Sequence, residues 1–538
     1  MTAHRSSAGL LTIVAIAGAG TMVVELAAVR VLAPWFGASA AVWTNVIGVV
    51  LLALALGYLF GSRLAAQPRP QRRLSWALLL SALWIVWLPT LAAPIAGTFL
   101  PDGVTLDRAA GLLVWGSLAA GLALFGPAAL ALGCIGPLAV ECVQQRSDLH
   151  AGTAGGRVLA ASTLGSLVGT FGTTHWLVPE LGIQGTFYLA AATLAVLGAL
   201  VRFGESRAPS AVLPALLVAS GLFGSGYRTP APDAEISVLE TRQSAYQSLR
   251  VVERGEGEAR FRQLQVNEGL DSFQSVWQPE SGLLPDGYYY NHFALPAAWS
   301  ADSRSWRALV LGLGAGTTWR VLEGALPDGV ELDAVGVEID PVAVELARRW
   351  MDLPENGPGR LAIAGQDART ALQQLTPGFD QIVLDTYANQ MEVPPHLCSV
   401  EFFEEVEARL AVGGWLTINI GGFGVEDPVV SAITQSAAYA FESEALVVRV
   451  PFSRNCVVHL RRAAEVPRPG SADWRSARGP AARLLPPVEV DGAWRLVAAG
   501  DSPQLTDDRN PIETLQRASI ELAARRLREV ERWGASSE

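Results

Sequence analysis

Three acidic residues in the second half of the chain have the type and spacing to bind a ligand or to move a proton. Glu338, Asp367 and Asp385 each stand at or just after an apolar run typical of a buried strand. Because the carboxyl ends of parallel strands meet at one edge of a sheet, we expect the three carboxylates to line one crevice. Each acid could instead cap the helix that follows its strand, and Asp385 is the most open to this alternative.

A glycine run lies between an apolar strand and a predicted helix in the segment WRALVLGLGAGTTWRVLEG. Gly312, Gly314 and Gly316 would let the backbone turn sharply and approach a ligand closely. Glu338 follows 22 residues after Gly316, a place from which a carboxylate can accept hydrogen bonds from two ribose hydroxyls. The alternative is a nucleotide-free domain in which the glycines serve packing.

The nature of the nucleotide follows from the motif and from the acids. The glycines are spaced Gly-x-Gly-x-Gly, not the Gly-x-Gly-x-x-Gly of dinucleotide sites. Asp367 stands where a carboxylate could bind an adenine amino group. Three acids at the ends of successive strands favour an S-adenosyl compound over a dinucleotide.

The elements that must position these residues are a Rossmann-like domain and a small β region before it. From about residue 306, strands and helices alternate, which predicts a parallel sheet with covering helices over residues 301–538. Residues 235–300 contain the alternating segments SAYQSLRVVE and FRQLQVNEG, which predict short antiparallel strands.

The first 226 residues have a different character. The chain of 538 residues is 50% hydrophobic and only 17% charged, and its apolar residues concentrate there. A membrane span needs about 20 apolar residues, and seven segments approach this length, near 9–32, 42–62, 75–99, 109–138, 157–178, 183–201 and 209–226. The predicted fold class is therefore an all-α transmembrane bundle of six or seven segments, followed by an α/β domain, in a multi-pass protein of the cell membrane.

Arginine-bearing loops indicate the orientation of this bundle. They follow the second, fourth and sixth segments, which places those loops in the cytoplasm. Seven spans would then put the second half of the chain outside the cytoplasm, away from where S-adenosyl compounds are made. The segment 209–226 is short and contains Pro214. We therefore expect it not to span, with the α/β domain on the cytoplasmic side.

Charge and cysteine content exclude other classes. The net charge of −11 argues against a nucleic-acid partner. The four cysteines lack the spacing of a zinc site or a disulfide framework, so no metal is expected.

The residues above resemble the spermidine synthases, a family of polyamine aminopropyltransferases, in the form fused to a membrane bundle. The likeness covers about 236–420 and is closest in GVEIDPVAVELARRW and FDQIVLDTYANQ. It implies a catalytic role for Asp385. It implies cofactor binding by Gln247, Gly312, Gly314, Gly316, Glu338 and Asp367, and substrate binding by Gln274 and Tyr288.

The implied reaction moves an aminopropyl group from decarboxylated S-adenosylmethionine to a small-molecule amine. The family also suggests a homodimer, and the bundle implies contact with membrane lipid. The family's acids that grip the amine are replaced by Ala315 and Ala388, and Tyr289-Tyr290 stands where the family has His-Glu after its tyrosine. The cofactor half of the site is thus better preserved than the amine half. Alternatives are a methyltransferase that uses S-adenosylmethionine, a transporter with an S-adenosyl-sensing domain, and a non-catalytic domain.

Overall fold

The structure is a computed structural model that describes residues 7–36, 40–99, 106–147, 149–203, 236–244, 246–255, 260–266, 273–299, 304–387, 393–500, 505–512, 514–516 and 518–519. The chain divides into two compact units. The first comprises residues 1–232 with the short segments 243–248 and 267–271. The second comprises the remaining residues from 233 onward.

The first unit is helical, because long apolar runs satisfy their backbone groups within each segment. Its helices are α1 (Ser7–Phe36), α2 (Ala40–Ala65), α3 (Pro70–Phe99), α4 (Leu106–Gly133), α5 (Ile135–Ser147), α6 (Ala151–Gly172) and α7 (Val178–Phe203). A π-helical turn, Thr173–Leu177, joins the last two. Within the described residues, five helical stretches are long and apolar enough to cross a membrane.

The last of these stretches, Ala151–Arg202, has 52 residues. A straight helix of that length would measure roughly 78 Å, more than twice the roughly 30 Å of a hydrocarbon core. The backbone leaves the helical conformation at Gly182, where φ is 68°. The stretch therefore contains both predicted segments 157–178 and 183–201, whereas the predicted segment 209–226 lies outside the described residues.

Glycines allow α1 and α6 to pack closely. A methyl group at Gly165 would overlap the backbone of Ala15, and one at Gly169 would overlap the backbone of Ala19. Gly172, one turn further along, has open space around it. Small residues at such contacts let helix backbones approach in the absence of a hydrophobic driving force within lipid.

The second unit contains most of an antiparallel sheet, whose described strands are ordered β1 (Ser237–Gln243), β2 (Ser248–Arg254), β3 (Phe261–Val266) and β4 (Phe273–Trp277). Burial alternates only in the first part of β2, where Leu249 and Val251 are buried on either side of Arg250. In β3 the last four residues are all buried, so the antiparallel pairing agrees with the prediction for residues 235–300, whereas the period-two burial of one face does not extend through β3.

A larger mixed sheet follows, with eight strands among the described residues, in the order β12-β10-β11-β9-β8-β5-β6-β7. The strands are β5 (Ser305–Leu311), β6 (Glu331–Glu338), β7 (Arg360–Ala364), β8 (Phe379–Leu384), β9 (Leu410–Gly421), β10 (Ala445–Arg449), β11 (Asn455–Arg461) and β12 (Trp494–Val497). Strands β5 to β9 run parallel, whereas β10, β11 and β12 join antiparallel.

The helices of this unit are α8 (Tyr290–Phe293), α9 (Thr317–Ala325), α10 (Pro341–Trp350), α11 (Ala368–Gln374), α12 (Val400–Arg409), α13 (Pro428–Ala440) and α14 (Leu485–Val488). Short 3-10 turns lie at Leu295–Trp299, Pro395–Leu397, Trp474–Ser476 and Pro480–Leu484. Apolar clusters fill both faces of the sheet. The predicted fold class, an apolar helical bundle followed by a small antiparallel region and an α/β domain, is confirmed.

The strand order determines where a ligand can bind. From β5 the chain proceeds outward through β6 and β7, and then returns to place β8 on the other side of β5. Ligands of open α/β sheets bind at the carboxyl ends of strands where the order reverses in this way. That point lies between β5 and β8, where Asp385 donates its backbone N–H to the Leu311 carbonyl at 2.9 Å.

A segment near the C-terminus is tied to this unit through one arginine. The guanidinium of Arg369 bonds both carboxylate oxygens of Asp507 at 2.8 Å and one oxygen of Glu405 at 2.7 Å. The Ser399 hydroxyl donates to the same Asp507 carboxylate at 2.6 Å. This two-point bond and the Ser399 contact hold the segment 505–512 against the first turns of helices α11 and α12.

Candidate active site

The glycine turn after β5 has the left-handed backbone that only glycine adopts readily, with φ of 90°, 54° and 84° at Gly312, Gly314 and Gly316. A side chain at Gly312 would overlap the backbone of Asp385, and one at Gly316 would meet Leu353. The packing alternative therefore accounts for these two glycines without a ligand. The turn also contacts β4, because the Ala315 N–H donates to the Ser275 hydroxyl at 2.9 Å.

Glu338 lies at the end of β6 with only 5% of its surface exposed. One carboxylate oxygen accepts the Gly314 N–H at 2.8 Å, and the other accepts the Asp340 N–H at 3.0 Å. Burial raises the pKa of this carboxyl, and the backbone donors oppose that rise. A third backbone N–H, that of Ile339, also faces the carboxylate and lowers its pKa. A carboxylate accepts hydrogen bonds and ribose hydroxyls can donate them, so the chemistry of Glu338 suits a pair of ribose hydroxyls.

Asp367, after β7, caps a helix. Its carboxylate accepts the backbone N–H groups of Arg369 and Thr370 at 3.0 and 3.1 Å, and its second oxygen bonds His396 at 2.9 Å. Burial raises its pKa, but the hydrogen bonds from His396 and the backbone outweigh burial and lower it overall. The expectation that Asp385 would be the acid most prone to capping was wrong, because Asp367 performs that role.

Asp385 instead receives two side-chain donors. The Tyr289 hydroxyl donates to Oδ2 at 3.2 Å, and the Asn419 amide donates to Oδ1 at 2.8 Å. The carboxylate keeps some contact with solvent, yet the protein surrounds it closely. Loss of hydration raises the pKa of Asp385 to about 7, the two donors oppose that rise, and the charge of Glu338 adds to it. Asp385 and Glu338 are therefore within electrostatic reach of each other.

Tyrosines surround this carboxylate. The rings of Tyr289 and Tyr290 stack with centroids 4.2 Å apart. The Tyr387 hydroxyl donates to the Asn419 carbonyl at 3.0 Å and accepts the Gly421 N–H at 2.8 Å. Burial, followed by the charge of Asp385, raises the pKa of Tyr289, Tyr290 and Tyr387. All three remain neutral phenols at neutral pH, able to donate hydrogen bonds.

The remaining predicted site residues have less definite surroundings. Gln247 lies in the turn between β1 and β2, where its backbone N–H donates to the Ser244 hydroxyl at 2.9 Å. Only the backbone of Gln274, within β4, is described. Tyr288 is half-buried, and burial raises its pKa. The ligand roles of these residues stay predictions, and Ala388 lies outside the described residues.

Neither Tyr289 nor Asn419 could be predicted from the sequence as a partner of Asp385. In the sequence, Tyr289 stands out only as a replacement of a family histidine. Asn419 did carry a signal, because it is a polar residue near the carboxyl end of the apolar strand WLTINIGG. Among the residues that the structure describes, no group of three or more His, Cys, Asp or Glu side chains could hold a metal ion.

Comparison with known proteins supports the resemblance. No family model matches the chain. The polyamine aminopropyltransferase of Mycobacterium tuberculosis is 28% identical over 302 residues, which cover 52% of this chain and 54% of that protein. The chain is related to the spermidine synthase family. It spans about half the length of the curated relatives it matches.

Two further kinds of relative were found. The N-terminal histidine N-methyltransferase of Emericella nidulans is 31% identical over 219 residues, covering 38% of this chain and 37% of that protein. Among solved structures, a probable spermidine synthase from Corynebacterium glutamicum has a TM-score of 0.39 at 20% identity and covers 50% of this chain and 91% of that one. The spermidine synthase from Thermotoga maritima has a TM-score of 0.34 at 14% identity and covers 53% and 84%.

Proposed function

We propose that the second unit transfers the 3-aminopropyl group of decarboxylated S-adenosylmethionine to a small-molecule amine, with Asp385 as the general base. One observation carries the proposal. A carboxylate with a pKa of about 7 is held between Tyr289 and Asn419, at the switch point of the sheet, beside the glycine turn. Relatedness to the polyamine aminopropyltransferases supports the same reaction class.

In this reaction the amine nitrogen forms a bond to the carbon next to the sulfonium, the carbon–sulfur bond breaks, and its electron pair stays on sulfur. The nucleophile must be neutral, although an alkyl amine has a pKa of about 10. Asp385 would take the proton that leaves the nitrogen. General-base catalysis typically contributes a factor of about 10² to 10⁴. A carboxylate with a raised pKa suits that role better than an ordinary aspartate near neutral pH.

The other residues would position the two substrates. We assign the ribose hydroxyls to Glu338, a buried carboxylate at the end of β6 that contacts the glycine turn. Asp367 would contact the rest of the adenosyl compound, and Gln274 and Tyr288 would contact the amine. Positioning of this kind lowers the barrier by converting an encounter in solution into a reaction within one complex.

The membrane setting belongs to the proposal as well. Five apolar helical stretches in the described residues support a multi-pass membrane protein. The substrate is made in the cytosol, so the second unit would face the cytoplasm. Protease protection of that unit in membrane vesicles of known orientation tests this placement. Cleavage only by protease on the non-cytoplasmic side of the membrane would contradict it.

The decisive test incubates the purified full-length chain in detergent with decarboxylated S-adenosylmethionine and a panel of amines. We expect methylthioadenosine and an aminopropylated amine, in equal amounts, from the wild type. Asp385→Asn should reduce product formation at least 100-fold, whereas Asp333→Asn, on a half-exposed residue of β6, should not. Absence of both products across the panel would refute the proposal.

Methyl transfer is the second candidate, because a relative at 31% identity is named an N-terminal histidine N-methyltransferase. The same carboxylate would accept the proton from a nitrogen that attacks the methyl group of S-adenosylmethionine. The two reactions separate by their nucleoside product. S-adenosylhomocysteine formed from S-adenosylmethionine would support methyl transfer, and methylthioadenosine formed from the decarboxylated compound would support aminopropyl transfer.

A further inference from the structure

A chain of side-chain hydrogen bonds extends from Asp385 into the sheet. The Asn419 amide N–H donates to Asp385 at 2.8 Å, and its own oxygen accepts the Asn455 amide N–H at 2.8 Å. The Asn455 oxygen in turn accepts the Ser453 hydroxyl at 2.7 Å. Every bond in this chain donates toward the carboxylate.

The direction of these bonds decides what Asp385 experiences. An asparagine can present either its oxygen or its NH₂ group to a neighbour. If Asn419 presented its oxygen to an ionised carboxylate, two acceptors would face each other without a proton between them. Asn455 prevents this, because its NH₂ group occupies the Asn419 oxygen. Ser453 fixes Asn455 in the same way.

The register of two antiparallel strands brings the asparagines together. Val457 of β11 pairs with Asn419 of β9, and Asn455 lies two residues before Val457. Residues related in this diagonal way share one face of the sheet and lie within reach of each other. The residue directly opposite Asn455 is Gly421, which has no side chain to intervene. The contact thus joins residues separated by 36 positions in the sequence.

We propose that Asn419 and Asn455 are positioning residues that orient the Asp385 carboxylate and set its charge state for the transfer reaction, an inference that rests on the proposed function. Asn419 acts directly on Asp385, and Asn455 acts through Asn419. Because Tyr289 donates to the opposite carboxylate oxygen, loss of Asn419 would leave Oδ1 without this donor and the carboxylate less firmly oriented.

The two asparagines should therefore differ in a graded way. A hydrogen bond to a charged group is stronger than one between neutral groups, so its loss disfavours the ionised carboxylate. We expect Asn419→Leu to raise the pH at which Asp385 titrates by about one unit or more. Asn455→Leu should give a smaller shift in the same direction, because the Asn419 amide remains but is free to turn over.

The test measures the titration of Asp385 without requiring turnover. The thermal midpoint of the full-length chain is followed from pH 4 to 9, with and without Asp385→Asn, in wild type, Asn419→Leu and Asn455→Leu. The difference within each pair reports the protonation of Asp385. Asn356→Leu is the matched control, because the Asn356 amide also donates and accepts hydrogen bonds, but with the backbone of Ala362, outside the site.

The inference is supported if the pH at which Asp385 titrates rises most in Asn419→Leu, less in Asn455→Leu and least in the control. We also expect Asn419→Leu to lower kcat about tenfold or more while the KM for the S-adenosyl substrate stays nearly unchanged. An unmoved titration in Asn419→Leu, or equal effects of Asn455→Leu and the control, would overturn it. If Asn419→Leu does not fold, Asn455→Leu alone decides. If the two variants shift the titration of Asp385 but the wild-type chain shows no transfer activity, the proposed function is refuted, whereas the effect of the asparagines on the charge of Asp385 stands.

Discussion

Replacement of Asp385 by asparagine should make the protein more stable at neutral pH while it abolishes transfer. The folded-state pKa of this carboxyl is about 7, against an ordinary value of 3.8. A shift of about three units corresponds to about 4 kcal/mol at most, at 1.36 kcal/mol per unit. The contact of Asp385 with solvent reduces that figure. The amide is nearly isosteric, and the Tyr289 hydroxyl can rotate to accept from it.

The sign follows from proton binding. A raised pKa means that the folded state holds the proton more tightly than the unfolded state does, so the wild type is relatively most stable below pH 3.8. Its stability falls as the pH rises from about 4 to about 7, and then levels. The asparagine variant lacks this loss, so its advantage should be near zero at pH 4 and largest above pH 7.

The assay is the thermal midpoint of the full-length chain in detergent, measured for both proteins at half-unit pH steps. Asp333→Asn serves as the control, because its side chain is half exposed and should show no comparable pH-dependent gain. The stability difference between the variant and the wild type could instead be constant from pH 4 to 8, or the variant could be less stable above pH 7. Either result would refute the claim that burial disfavours the ionised form of Asp385.

Three further outcomes are expected. Tyr289→Phe removes one donor from Asp385, so the acidic limb of the transfer rate should move above pH 7, and a limb that stays in place would show that the hydroxyl does not act on the carboxylate. Gly165→Ala should lower the thermal midpoint, because its methyl group overlaps the facing helix, whereas Gly172→Ala should not, and equal effects would contradict the close packing. Arg369→Lys keeps the charge but loses the two-point bond to Asp507, so it should increase proteolysis of the segment 505–512. Unchanged cleavage rates would argue that this bond does not hold the segment in place.

The positions of the glycine turn and of Glu338 could be predicted from the sequence more fully than the surroundings of Asp385. The glycine turn and Glu338 are local features, because each follows directly from a strand end within one βαβ unit. In the structure, the Gly314 N–H donates to a Glu338 oxygen and so joins the ends of the neighbouring strands β5 and β6. Gly312 proved to be required by packing against Asp385, a reason that the spacing of the glycines does not reveal.

The partners of Asp385 could not be predicted in the same manner. Tyr289 lies 96 residues away in the sequence and Asn419 lies 34 residues away. Asn455 belongs to the antiparallel part of the sheet, where a continuation of the parallel pattern was expected. Each of these contacts depends on strand register, and a slip of one residue would turn the asparagines to the other face.

The sequence by itself determined the two-part architecture, the strand ends that carry Glu338, Asp367 and Asp385, and the relation to the spermidine synthases. These properties depend on local composition and on periodicity, which are visible in the sequence without knowledge of distant contacts. Only the tertiary structure decided that Asp367 caps a helix and that the Asp385 carboxylate is held between a tyrosine and an asparagine. The charge of a carboxyl depends on burial and on donors within a few ångströms, and both arise when segments far apart in the chain pack together.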